Sequence, residues 1–231
     1  MPSKKFVLEP DLPLTIYKRR SNRNLRLSIS SAGEIRVSIP AWAPYKTGLD
    51  FARSRQAWIL KQARRPVSLV HGQPIGKAHR LEFVPKAVSK PGGRIKGSAV
   101  IISHDHQVEA SSPEVQATAR RFSEKALRAQ AEQLLPQRLA SLAQTHGFTY
   151  KTVSIKRLKG RWGSCDQSGN IVLNLFLMQL PWELIDYVLL HELAHTKVLR
   201  HGPDFWDLME QVRPQAKSFR AAMRQHQPVV S

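Results

Sequence analysis

Residues 191–195 read His-Glu-Leu-Ala-His, and they follow an apolar, helix-compatible run at 184–190. Residues four apart on a helix lie on one face, one turn above the other, so His191 and His195 point in the same direction. Two imidazoles at this spacing can hold one metal ion. Glu192 lies about 100° round the helix from His191, which places its carboxylate beside the ion without ligating it. The chain must therefore fold so that this helix presents a polar, metal-binding face.

A third histidine, His201, follows six residues after His195. Catalytic zinc usually has three protein ligands and one open position, so His201 is the predicted third ligand. Glu192 can then deprotonate a zinc-bound water, because zinc lowers the pKa of that water toward about 7. Nickel and iron also accept imidazole ligands. The alternative, in which His191 and His195 are ordinary helix residues, is disfavoured because burying them without a partner is costly.

The chain is strongly basic, since 36 Lys and Arg against 17 Asp and Glu give a net charge of +19. Such a charge favours polyanionic partners, including nucleic acid, although it does not define a fold. The single cysteine, Cys165, excludes an internal disulfide and suits a reducing compartment. No secretion signal is recognisable, and no apolar stretch approaches the about 18–20 residues of a membrane span. We therefore expect a cytoplasmic protein with no membrane partner.

The first half of the chain has the pattern of a β-rich region. Strands are expected at 25–29, 35–39, 81–84 and 99–103, where apolar residues alternate with polar ones or form short runs. A turn at 31–34 would join the first two strands into a meander with one buried face. A helix is expected over 47–63. The basic residues in or beside the first two strands would face solvent: Arg20, Arg23, Arg26 and Arg36.

From Ser112 onward the pattern becomes helical. Pro113 suits the first position of a helix, and an apolar stripe then runs to Pro136, which should kink or break that helix. The expected fold class is α+β. A basic β-rich region at 1–111 would precede a helical catalytic domain with a small sheet at 112–231.

The segment Arg161-Trp162-Gly163-Ser164-Cys165 precedes an apolar strand at 171–175. It can line a cleft beside that strand, which we take as the edge strand where an extended substrate would pair. The alternative is a structural turn in which Trp162 packs and Cys165 is a small buried hydrophobe. The metal-water mechanism needs no covalent step, so a nucleophilic role for Cys165 is not expected. The candidate substrate-binding residues are Arg161, Trp162, Ser164 and Asn174.

These motifs resemble the YgjP-type metallopeptidase-like family, relatives of the SprT-like and minigluzincin zinc proteases. The resemblance rests on residues 161–165, 171–175, 186–188, 191–195 and 201–206. It implies a compact, zincin-like catalytic unit with His191, His195 and His201 as zinc ligands and Glu192 as the general base.

Two positions bear on which relatives the chain resembles. Val198 stands where metzincins have a glycine, so the sharp helix exit of metzincins is not expected here. Gly202, directly after His201, matches the SprT-like arrangement. If His201 is not the third ligand, Glu210 is the alternative, because gluzincins use a glutamate from a following helix.

Four functions fit these observations. The first is a zinc metallopeptidase in which Glu192 activates water against a peptide bond. The second is a metal-dependent nucleoside triphosphate pyrophosphatase or phosphohydrolase, which the family resemblance and the basic residues near Arg161 favour, although three histidines suit zinc better than Mg²⁺. The third is a SprT-like protease recruited to nucleic acid by its basic surface, and the fourth is a nucleic-acid-binding module with structural zinc. The expected partners are a peptide, protein or nucleotide substrate, and nucleic acid.

Overall fold

The computed structural model describes residues 2–8, 12–29, 35–62, 68–226 and 228. The chain divides into two compact units, Met1–Val67 and Ser68–Ser231. Both combine helices with small mixed sheets, which confirms the α+β class. The division lies earlier than the domain boundary expected between residues 111 and 112. The strands at 74–104 share a core with the long helix that follows them, and so they belong to the second unit.

The first unit is a four-stranded sheet with two helices. Its elements are β1 (Ser3–Leu8), β2 (Leu12–Arg19), β3 (Arg26–Ile29), β4 (Ile35–Pro40), α1 (Tyr45–Ser54) and α2 (Gln56–Gln62). The strand order is β1-β2-β4-β3, with β2 and β4 parallel and the other pairs antiparallel. The strands expected at 25–29 and 35–39 are confirmed. The helix expected over 47–63 is divided at Arg55, and the turn expected at 31–34 lies outside the described residues.

One face of this sheet packs against helix α1. Ile16, Val37 and Ile39 are fully buried on that face. Gly48 of α1 lies directly over Ile16 and Ile39, where an added Cβ would come within 3.0–3.1 Å of their methyl groups. The absence of a side chain at residue 48 therefore allows the helix to approach the sheet closely.

The second unit begins with another four-stranded sheet. Its strands are β5 (Pro74–Ile75), β6 (His79–Pro85), β7 (Gly92–Lys96) and β8 (Ala99–His104), in the order β5-β6-β8-β7. The strands expected at 81–84 and 99–103 are confirmed as β6 and β8. Helix α3 (Pro113–His146) packs on this sheet, and its residues Ala119 and Leu127 share a core with Leu81 and Ile102.

Helix α3 continues through Pro136 instead of breaking there. Leu135 and Leu139, on either side of the proline, are fully buried. Their packing offsets the backbone hydrogen bond that proline cannot donate. The helix ends at Gly147, whose φ of 65° is the left-handed conformation that glycine adopts easily.

The remaining elements build the framework of the candidate site. They are β9 (Thr152–Lys156), β10 (Gly163–Cys165), β11 (Asn170–Asn174), a 3₁₀ helix (Leu175–Gln179), α4 (Trp182–Ala194), α5 (Pro203–Val212) and α6 (Ala216–Met223). The three strands form a sheet in the order β10-β11-β9, and α4 packs against β10 and α3. Among the helices that the structure describes, none is both long and apolar enough to cross a membrane.

Candidate metal centre

Helix α4 presents the first two histidines. Its apolar residues are buried in the core of the second unit: Leu184, Ile185, Leu189 and Leu193. This packing fixes the rotation of the helix, and His191 and His195 follow one turn apart on another face. Their ring centroids lie 4.8 Å apart. The predicted spacing therefore brings the two imidazoles together as the helical repeat requires.

His201 reaches the same point from the segment between α4 and α5. The chain turns after His195, so that Nε2 of His201 lies 3.0 Å from Nε2 of His191. The nitrogen atoms that the three imidazoles offer lie within 4.8 Å of one another. Phe205 of α5 packs against the His191, His195 and His201 rings at centroid distances of 4.9, 4.6 and 4.7 Å. One aromatic side chain thus supports the whole cluster.

His195 is oriented by a backbone group. Its Nδ1 lies 3.0 Å from the carbonyl oxygen of Val198, and because a carbonyl only accepts, Nδ1 is the donor. Nε2 of neutral His195 therefore keeps its lone pair for a ligand. Metal-binding histidines usually have such a partner on their second nitrogen, since it fixes the tautomer and the ring orientation.

Burial keeps the imidazoles uncharged. It lowers the pKa of His195 and His201, and, together with the two neighbouring imidazoles, it lowers the pKa of His191 to about 3. Neutral imidazole is the form that binds a metal ion. Two ligands about 2.0–2.1 Å from a tetrahedral zinc lie about 3.3 Å apart. The 3.0 Å separation of the His191 and His201 nitrogens is close to that value, and the three imidazoles could together hold a metal ion.

Glu192 lies beside this cluster, with 5% of its surface exposed. Its side chain fills the space over Gly163 of β10, where an added Cβ would lie 2.6 Å from Oε1 and 2.8 Å from Cγ of Glu192. Burial raises the pKa of Glu192 to about 8, while the positive charge of Arg161 acts in the opposite direction. A carboxyl group with such a pKa suits proton transfer near neutral pH.

Strand β10 and the histidines line an open cleft of about 240 Å³. Its lining residues are Gly163, Ser164, Cys165, His191, Glu192, His195, Leu199 and His201. The residues on either side of β10, Trp162 and Asp166, make backbone hydrogen bonds to Asn174 and Asn170 of β11. Because such bonds alternate along an antiparallel strand, Gly163 and Cys165 turn their N–H and C=O groups away from β11.

The sheet has two edge strands, β9 and β10, and β10 is the one that lines the cleft. We expected residues 171–175 to form the edge, but β11 lies between β10 and β9 and has no free edge. The backbone groups of Gly163 and Cys165 face outward on the strand that lines the cleft. A substrate strand would thus add to β10, not to β11.

Three of the four candidate substrate-binding residues lie at or near the cleft. Ser164 lines it. Arg161 is exposed, and its charge acts on Glu192. Trp162 is half-buried and packs against the core of the second unit. This agrees with the alternative interpretation, in which residues 161–165 form a structural turn and Trp162 packs inside.

Asn174 does not reach the cleft, because it is fully buried. Its Nδ2 donates to the carbonyl oxygens of Leu158 (3.0 Å) and Arg161 (2.8 Å), and its Oδ1 accepts from the Phe176 N–H at 3.2 Å. Asn174 therefore holds the loop that carries Arg161, and the prediction that it contacts substrate is wrong.

Two other residues considered from the sequence have local roles. Glu210, the alternative ligand, accepts hydrogen bonds from the N–H groups of Gln215 (2.9 Å) and Lys217 (3.4 Å) and lies outside the histidine cluster. Burial, with the nearby charges of Glu192 and Asp166, raises the pKa of Cys165 to about 11. That thiol stays protonated at neutral pH, so it is a poor nucleophile.

Arg220 was not predicted as part of the site, and Gly163 was predicted only as one residue of a segment that can line the cleft. The Arg220 guanidinium lies 4.7 Å from the ring centroid of Trp206, and that ring lies 6.0 Å from the His201 ring. Burial is the main cause that lowers the pKa of His201, and the positive charge of Arg220 is the second. Arg220 lies on a separate helix, α6, and no motif marks it, so only the folded structure shows that it is near the histidines.

Two histidines and a buried glutamate on a His-Glu-x-x-His helix, joined by a third histidine from the following segment, form the kind of site found in metallopeptidases. The chain belongs to the YgjP-like family: the family model described as YgjP-like, metallopeptidase domain, matches residues 23–226. The resemblance inferred from the sequence motifs is therefore confirmed.

Two solved structures of archaeal proteins are similar to parts of the chain. The metallopeptidase zymogen abylysin of Pyrococcus abyssi is 28% identical, with a TM-score of 0.37, over 42% of this chain and 100% of that one. The metallopeptidase zymogen jannalysin of Methanocaldococcus jannaschii is 19% identical, with a TM-score of 0.36, over 39% of this chain and 94% of that one. Among curated proteins, no sequence matches this chain.

Proposed function

We propose that this protein is a zinc-dependent metallopeptidase in which His191, His195 and His201 hold the metal and Glu192 is the general base. The observation that carries the proposal is the convergence of three neutral imidazoles beside one buried carboxyl group. Imidazole donors favour zinc over Mg²⁺, which prefers oxygen ligands. When bound, zinc supplies Lewis acidity and lowers the pKa of water.

Glu192 moves the proton that peptide hydrolysis requires. In this proposal its carboxylate accepts a proton from the attacking water and later gives it to the amine nitrogen of the departing peptide. The positive charge of a bound metal ion would favour the ionised form of Glu192, which is the form that accepts a proton. Gly163 gives the side chain the space it needs, and the fold around Gly163 keeps it in place.

The peptide substrate would bind in an extended conformation along β10. The outward N–H and C=O groups of Gly163 and Cys165 offer the hydrogen bonds of an added strand. Ser164 lies on the same strand, and the exposed Arg161 can meet a carbonyl or carboxylate group of the substrate. Recognition through the backbone would make cleavage tolerant of different side chains.

Hydrolysis of nucleoside triphosphates has less support than peptide hydrolysis. Within the described part of the chain, the one group of residues able to hold a metal consists of three histidines and contains no carboxylate. Enzymes that act on phosphates usually hold Mg²⁺ through carboxylates and the substrate phosphates.

The test is to incubate the zinc-loaded protein with a complex peptide mixture and, separately, with a panel of nucleoside triphosphates. We expect mass spectrometry to show new peptide termini, which disappear when a chelator removes the metal. His201→Ala should lose zinc and activity, whereas His106→Ala, at an exposed histidine elsewhere, should keep both. Release of phosphate or pyrophosphate without new peptide termini would contradict the proposal.

A further inference from the structure

The sheet of the first unit has a second face, opposite α1, which we call the outer face. Side chains alternate between the two faces of a strand. Since Ile16, Val37 and Ile39 face the helix, their strand neighbours face outward. The outward set includes five residues with a basic or aromatic side chain: Lys5, Tyr17, Arg19, Arg26 and Arg36. Tyr17 takes no part in the apolar cluster under the sheet.

Strand register places Tyr17 among the basic residues. Tyr17 pairs with Ser38 of β4, and Ser38 pairs with Arg26 of β3. Arg19 lies two residues further along β2, on the same face. Lys5 and Arg36 flank Thr15 in the neighbouring row. Strands lie about 4.8 Å apart and residues on one face about 7 Å apart along a strand, so a single oligonucleotide can span the group.

The outer face is exposed and carries one sign of charge. Lys5, Arg19, Arg26 and Arg36 are all exposed in the structure of the whole chain. None of the described strand residues on this face is acidic. Residues 1–67 as a whole contain fourteen Lys and Arg against four Asp and Glu. Charge complementarity therefore points to a polyanion.

An exposed tryptophan lies at one end of the same sheet. Trp42 is 82% exposed, in the turn that follows β4. The last residue of β4, Pro40, pairs with Arg19, so this turn begins at the end of the sheet where Arg19 lies. Trp42 contributes to neither apolar core, and an exposed indole suits stacking with an unpaired base.

We propose that the outer face, together with Trp42, binds single-stranded nucleic acid. The cations neutralise phosphates, and Tyr17 and Trp42 stack on bases. The major groove of a duplex admits an α-helix or a two-stranded ribbon, whereas the splayed bases of a single strand can lie on the face of a four-stranded sheet. This inference does not rest on the proposed peptidase activity, because every residue it uses lies in the first unit.

The test measures binding of a short, fluorescently labelled oligothymidylate by anisotropy, using the full chain. The variant Lys5→Gln/Arg19→Gln/Arg26→Gln removes three charges from the outer face. The matched control, Lys46→Gln/Arg53→Gln/Arg55→Gln, removes three exposed charges in or next to α1 on the helix side. Circular dichroism checks that both variants are folded.

We expect the outer-face variant to bind at least about tenfold more weakly at 0.1 M salt, and the control less than about threefold more weakly. The slope of log K against log salt should fall by about 2 in the outer-face variant alone, since each phosphate contact on a single strand contributes about 0.7. Trp42→Ala should weaken binding about fivefold or more, through lost stacking.

Equal weakening by the two charge variants would overturn the proposal, because the binding would then depend on net charge alone. Tighter binding to a duplex of the same length would also overturn it, as would binding to anionic vesicles without binding to the oligonucleotide. An unchanged affinity in Trp42→Ala would refute the stacking contact. Peptide cleavage, measured in parallel, should be the same in all these variants, so failure of one proposal does not obscure the other.

Discussion

Glu192 is held between its own helix and the backbone of β10. Its side chain touches Gly163 so closely that residue 163 has room only for hydrogen. The glutamate is almost fully buried. The position of the proposed base therefore depends on a residue that has no side chain of its own.

We predict that Gly163→Ala lowers kcat/KM for peptide hydrolysis by about 10–100-fold while zinc content stays unchanged. The new methyl group displaces the Glu192 carboxylate, and a misplacement of about 1 Å can cost that much in rate. Gly92→Ala is the matched control, because a Cβ there meets nothing within 4 Å. Steady-state kinetics and metal analysis on the same samples check this, and full activity in Gly163→Ala would contradict it.

At the residue scale, the sequence predicts what is local. The alignment of His191 and His195 follows from the helical repeat, so it can be read from five consecutive residues. The roles of Gly163, Asn174 and Arg220 depend on contacts with residues that are distant in the chain. No periodicity encodes such contacts, which is why Asn174 was assigned to the substrate and the contacts of Gly163 and Arg220 were not predicted.

At the scale of the secondary-structure elements, an ion pair and apolar packing together attach helix α4 to helix α3. Arg138 of α3 donates two hydrogen bonds to Asp186 of α4, from Nε to Oδ1 at 2.8 Å and from Nη2 to Oδ2 at 2.6 Å. The Asp186 side chain is 13% exposed and that of Arg138 is 44% exposed. The hydrogen bond to Asp186 raises the pKa of Arg138. This paired contact helps to set the position of the helix that carries His191.

We predict a coupling free energy of about 1 kcal/mol between these two side chains. A double-mutant cycle with Arg138→Gln and Asp186→Asn, followed by urea unfolding, measures it. The value is modest because solvent screens the exposed end of the arginine. The exposed pair Arg128 and Glu132, 3.9 Å apart on α3, should give less than about 0.5 kcal/mol. A coupling for Arg138 and Asp186 no larger than that of the exposed pair would contradict the prediction.

Element positions were easier to predict than element partners. The alternation of apolar and polar residues at 25–29 and 35–39 identifies β3 and β4, but it does not show which strands lie beside them. For the same reason β11 was taken for an edge strand, although it lies in the centre of its sheet. Pro136 was expected to kink or break a helix that tertiary packing in fact continues.

At the scale of the whole molecule, the apolar side chains that the structure describes form two separate cores. One is built from residues of the first unit and the other from residues of the second, and the candidate metal centre belongs to the second. The sequence pattern predicted a boundary between residues 111 and 112, whereas the chain divides between Val67 and Ser68. The change from β-like to helical pattern occurs inside the second unit, where β5–β8 pack on α3. Local pattern therefore shows the type of each element but not the core to which it belongs.

Two separate cores predict that zinc stabilises only the second unit. A ligand that binds the folded state contributes about 2.7 kcal/mol at one hundred times its dissociation constant. The slowest-exchanging amides of Ser68–Ser231 should gain about 100-fold protection in hydrogen exchange, and those of Met1–Val67 should gain none. His201→Ala should abolish the gain. Equal protection of both units would show that they unfold together.

The most direct test of the account compares the zinc-loaded wild type with Glu192→Gln on a peptide that the wild type cleaves. The account predicts one zinc ion per chain in both proteins and a fall in kcat of about 10²–10⁴-fold in the variant, because glutamine keeps the shape of the side chain but cannot accept the proton. Unchanged turnover in Glu192→Gln at equal zinc content would contradict the assignment of Glu192 as the general base.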